Sequence, residues 1–142
     1  MEETLRRLID VYRRELELYR EIRVRVARQR ELIESGCAYS EINTELASKR
    51  ELLMEIEALE QGIGADRELW RRHRRHLDGR SAKVLMELLA AVTGAVEEII
   101  SEERENEILL TSRRRHGLRP VTNAKRAAAS YRSHSLRSEA KR

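Results

Sequence analysis

Phenylalanine is absent from the 142 residues, and Pro120 and Cys37 are the sole proline and cysteine. Trp70 and four tyrosines are the only aromatics, 4% of the chain, against 38% charged residues. Such a chain can fill a seam between helices, but it cannot build the broad core of a sandwich or of a helix-covered sheet. A lone cysteine excludes an internal disulfide and points to a reducing compartment. No stretch approaches the roughly 18 consecutive apolar residues that a membrane span needs. The opening "MEETLRRLIDVYRREL" carries charges throughout, unlike a secretory signal. A soluble cytoplasmic protein is expected. Aspartate is also scarce, with Asp10, Asp66 and Asp78 far apart in the sequence, and no glycine-rich loop follows a strand.

What is present is Glu, Arg, Leu and Ala in long helical patterns. The basic residues are 25 Arg and 4 Lys. Charge is divided unevenly. Residues 1–112 hold 19 basic and 24 acidic residues, a net −5, while residues 113–142 hold ten basic residues and one acid, a net +9. A basic tail of this kind can meet nucleic acid, anionic lipid or an acidic protein face.

A first helix is expected over about 2–34. Leu5, Tyr12, Tyr19, Val26 and Ile33 recur every seven residues, Ile9 and Leu16 take the other seam position, and Leu8 and Ile22 widen the stripe. Gly36 in "ESGCAYS" suits a C′ position with positive φ, and Ser40 suits the next cap. Cys37 is a bystander in that turn.

The second helix, about 40–76 with a break near 62–65, has Ile42, Leu46, Leu53, Ile56 and Ile63 on one stripe. Lys49 interrupts that stripe, and its stem is expected along the seam with the ammonium in water. Asp66 is placed as a cap for a short piece in which Trp70 packs on the bundle. A third helix, about 81–115, carries Leu85, Leu88, Leu89, Val92, Val96, Ile99 and Ile100. Ala90, Ala91, Gly94 and Ala95 would let another backbone approach closely. The expected fold is all-α: an antiparallel three-helix bundle or coiled coil of long helices over 1–116, with a flexible basic tail over 117–142.

Chemistry for catalysis is missing from this pattern. The glutamates read as partners of nearby arginines on solvated faces, as for Glu15 and for Glu17 with Arg20. His73 and His76 are three residues apart, but four arginines surround them and would repel a cation. Trp70 with Arg71, Arg72, Arg74 and Arg75 pairs one stacking surface with phosphate partners. The chain nevertheless lacks interleaved aromatics and zinc ligands, and its body is acidic, so nucleic acid is not the favoured partner. Polar faces as rich in Glu as in Arg also disfavour an anionic membrane surface. No enzyme, cofactor, metal or small-molecule substrate is expected.

Two local sequences narrow the outline. "YSEINTELASKRELLMEIEALEQ" carries spaced apolar residues around a Lys and a Leu-Leu pair. In "IISEERENEILL", Asn106 precedes Leu109 and Leu110. In this order and separation they resemble the FlgN family of flagellar export chaperones over roughly residues 1–115. The resemblance implies a cytosolic chaperone that binds C-terminal helices of hook–filament junction (hook-associated) proteins and delivers them to the flagellar type III export gate and its ATPase complex. It implies client binding along about Glu98 to Tyr131, in which Ile99, Asn106, Ile108, Leu109, Leu110, Leu118 and Val121 are the candidates. It also implies gate docking through Tyr131, although "SYRSHSL" lacks the glycines of the family pattern. Ile108, Leu109 and Leu110 are adjacent and cannot all face one seam, because successive residues are turned by about 100°. Two other readings stand beside this one: a coiled-coil scaffold that forms a homo-oligomer through the Leu5/Tyr12/Tyr19 stripe, and a basic-tailed nucleic-acid-binding protein.

Overall fold

The computed structural model describes residues 1–114 apart from Ala38. The expected tail 117–142, with Leu118, Val121 and Tyr131, lies outside them. Over the described residues the protein is an all-α bundle. Helix α1 spans Glu2–Glu34, α2 Tyr39–Gln61, α3 Gly64–His73 and α4 Arg80–Arg114, with a 3₁₀ turn at Arg74–His76 between α3 and α4. At 33 residues, α1 is about 50 Å long.

Helix α1 is central, and α2, α3 and α4 each pack against it. Arginine–carboxylate pairs report the directions. Arg25, Arg14 and Arg7 bind Glu45, Glu55 and Asp66 in turn, so α2 and α3 run antiparallel to α1. Ser81, Glu98, Glu105 and Arg113 meet Glu2, Arg23, Arg30 and Glu34 at separations of 75 or 79 residues. A constant separation means that α4 is parallel to α1, as the first and last members of an up-down-up bundle must be.

The turn after α1 is a complete Schellman motif. Gly36 has φ +72, its N–H donates to the Ile33 carbonyl at 3.2 Å, and Cys37 N–H donates to the Leu32 carbonyl at 3.0 Å. Cys37 is more than a bystander, since it packs on a small cluster of Leu32, Ile33, Ile42 and Leu46. Helix α2 begins one residue before Ser40, which therefore lies in the first turn. The break before α3 falls at Gly62 and Ile63. Asp66 lies within α3, where it takes hydrogen bonds from Arg7 Nη2 at 2.8 Å and Nε at 3.1 Å. It ties α3 to α1 rather than capping a helix.

The main core is continuous. Leu8, Leu18, Ile22, Ile56, Leu85, Val92 and Ile99 have no exposed surface, and Trp70 closes one side. Truncating a residue such as Leu8 to Ala would cost about 2–5 kcal/mol. On α1 the buried stripe is Leu5, Leu8, Tyr12, Glu15, Tyr19, Ile22, Val26, Gln29 and Ile33. Its spacing alternates three and four without interruption. Its second seam position is thus 8/15/22/29, with Ile9 buried beside it in the same core and Leu16 partly buried against that core. That position includes Glu15, which is buried rather than solvated because helices cover α1 from two sides. Glu17 pairs with Arg14, not Arg20. The Leu5/Tyr12/Tyr19 stripe is filled within the chain and offers no surface to a second copy. No helix among the described residues is long and apolar enough to cross a membrane.

Candidate functional site

Helix α4 presents two different environments around the motif "EERENEILL". On its inner face, Ile99 is wholly buried in the main core and has no surface to give a partner. Glu103 and Asn106 continue the same stripe and are also buried, at 4% and 2% exposure. Each long rod of the bundle places a polar residue at this level: Gln29 from α1, Lys49 from α2 and Glu103 from α4.

Lys49 Nζ donates to Gln29 Oε1 at 2.9 Å and to Glu103 Oε1. The ammonium is therefore inside the bundle and not in water. A cation there must have acceptors, because an isolated buried charge costs far more than burial of its methylene stem returns. Burial pulls the Lys49 pKa below its ordinary value, against the opposing attraction of Glu103.

Asn106 Nδ2 donates to the Val26 carbonyl at 3.2 Å, while Asn106 Oδ1 is buried without a hydrogen-bond partner. A small cavity of about 10 Å³ adjoins Gln29, Lys49, Glu103 and Asn106. Together these groups form a polar layer across the three rods. Such a layer specifies helix register at a cost in stability. Asn106 is 2% exposed, at the floor of the groove between α1 and α4, and so belongs to the frame rather than to an exposed surface.

One turn further on, the environment changes. Ile108 is 68% exposed, the highest value among the large apolar residues described. Leu109 and Leu110 are half-buried against the small cluster around Leu32 and Leu46. The three neighbours thus divide as their angular spacing requires. Arg113 holds this end of α4 to α1 by donating to the Glu34 carbonyl. The open site at this end therefore consists of Ile108 with the rims of Leu109 and Leu110.

The groove between α1 and α4 beside this site, about 570 Å³, is polar. Arg23 binds Glu102 at 2.9 Å across it, and Arg30 reaches Glu105. These exposed pairs set the alignment of α4 on α1 and contribute little stability singly. Among the described residues, no group of three or more His, Cys, Asp or Glu could hold a metal ion.

A second open surface was not evident from the sequence. Trp70, Arg74 and Arg75 face Met86, Leu89, Ala90 and Gly94 of α4 across a groove of about 650 Å³. Gly94 lines it, and a Cβ there would meet nothing within 4 Å. The close backbone approach expected at Gly94 is therefore not made among the described residues. The signal was present in Met86, Ala90, Thr93 and Glu97, which recur at helical spacing beside the core stripe. No protein-family model, curated protein or solved structure matches the chain.

Proposed function

We propose that this protein is a non-catalytic cytoplasmic export chaperone of the flagellar type III system. It binds C-terminal helices of hook–filament junction proteins at the far end of α4 and passes them to the export gate and its ATPase complex. The observation that carries the reading is the exposure of Ile108 beside half-covered Leu109 and Leu110. An apolar edge at a helix end can take the apolar face of an incoming amphipathic helix. The following residues, 113–142, carry a net +9 and suit an acidic flank on the client. Leu118 and Val121 extend the apolar site in this proposal, and Tyr131 is its gate contact. The sequence likeness of "IISEERENEILL" to the FlgN family supports the same assignment.

Asn106 and Ile99 support that end from inside and do not touch the client. Calorimetric titration of the full chain with C-terminal segments of hook–filament junction proteins tests the proposal. Saturable one-to-one binding that Ile108→Glu weakens is expected. Absence of binding to every such segment would remove the export reading.

A further inference from the structure

The groove between α3 and α4 lies on the half of α4 away from Ile108 and does not depend on the export reading. Its floor is apolar: Leu89, Ala90 and Gly94, with Met86 at 52% exposure and the edge of Trp70. Met86 to Glu97 covers about 16 Å of α4, or roughly three helical turns. The rim opposite α4 is Arg74 and Arg75 of the 3₁₀ turn, both exposed, within the basic run "RRHRRH" of residues 71–76. Glu68 holds Arg71 and Arg72 at 2.7 and 3.1 Å. Arg75 has no ion-pair partner among the described residues. Among the described residues Glu97 is the one acid lining the groove.

We infer that this groove is a second docking surface, which takes an acidic amphipathic helix of about three turns from another protein. The apolar floor selects the occupant's apolar face, and the rim selects carboxylates beside it. Other occupants fit less well. The chain's own residues 113–142 are strongly basic, like the rim. A twofold dimer through this groove would use the same patch twice and bring two basic rims together. Nucleic acid would want an open stacking face, yet Trp70 is only 5% exposed. A bilayer cannot follow a recess between two helices. Glycine at 94 keeps the floor low, since any larger side chain would project into the groove.

Trp70 is the only tryptophan and lines the groove, so its emission reports occupancy directly. The probe is a Trp-free helical peptide of about four turns, with leucines on one face and glutamates along its flanks. Its control carries lysines in place of the glutamates. Titrated into the full chain, the acidic peptide should shift Trp70 emission saturably, and the basic one should not. Added salt should weaken the binding. Gly94→Leu should weaken it at least about tenfold with an unchanged circular dichroism spectrum, since the added side chain meets no protein atom near its Cβ. Arg75→Glu, at an exposed position, should weaken it by a similar factor. The inference is overturned by no shift at the highest soluble peptide concentration, by equal binding of the basic peptide, or by Gly94→Leu binding as well as the parent. A Trp70 response to single-stranded DNA or phosphatidylserine vesicles, in place of the acidic peptide, would also overturn it.

Discussion

Replacing Lys49 by Met leaves Glu103 buried, with Gln29 as a poor substitute for a cation. Lys49 and Glu103 have side-chain exposures of only 2% and 5%, so water cannot take over the lost interaction. Removing one member of such a pair costs about 3–5 kcal/mol, whereas replacing both with apolar residues is neutral or stabilising by about 1–4 kcal/mol. A domain of this size has about 5–15 kcal/mol in total, so the single change should remove a large share of it. Lys49→Met should therefore lose about 3–5 kcal/mol, and Lys49→Met with Glu103→Leu should return to the parent value or exceed it. Urea unfolding followed by circular dichroism measures both, and equal slopes would show that the compactness of the end states is unchanged. A loss below about 1 kcal/mol for the single variant would refute the buried pair, as would a double variant no better than the sum of the singles. There is also an alkaline signature. The folded-state pKa of Lys49 is lowered by burial, so between that value and about 10.4 the unfolded chain binds more protons than the folded one. Stability should rise with pH through that window in the parent relative to Lys49→Met.

Asn106→Leu removes the hydrogen bond to the Val26 carbonyl together with a buried oxygen that has no partner. It should raise stability by about 1 kcal/mol in the same urea assay; a loss of that size would show that the amide is needed for packing and not only for register. Asp66 is held below the usual carboxylate range, chiefly by its hydrogen bonds from Arg7. Its contribution should be present above about pH 4 and lost as pH falls through its lowered folded-state pKa. Asp66→Asn should therefore lower the melting temperature at neutral pH and converge on the parent in acid; a pH-independent difference would contradict this. Ile108→Glu should change stability by less than about 0.5 kcal/mol, because the side chain is exposed.

The helices were legible because, Gly94 apart, the glycines among the described residues fall at their ends or breaks and apolar residues recur at helical spacing. Gly36 marked its turn for the same reason that it occupies it. What escaped were the polar members of the buried stripes. Glu15, Gln29, Lys49, Glu103 and Asn106 all sit at seam positions, but residue type argued for solvent at Glu15 and at the Lys49 ammonium. Asn106 was noticed because leucines flank it; Lys49 was seen in its seam, but its acceptors come from two other helices. Sequence spacing does not reveal which residues of separate helices share a level. The same limit hid the groove. Trp70 and Gly94 were each conspicuous, yet only the fold places them on facing walls. Adjacency told that Ile108, Leu109 and Leu110 must divide, but not that Ile108 would be the one left outside.

The most direct test of the proposed function is calorimetry of the full chain against the C-terminal helical segment of each hook–filament junction protein, with Ile108→Glu in parallel. Saturable one-to-one binding to at least one segment, weakened about tenfold or more by the equally stable Ile108→Glu variant, is the expected result. No binding to any segment, or binding that Ile108→Glu leaves unchanged, would contradict a client site at the end of α4.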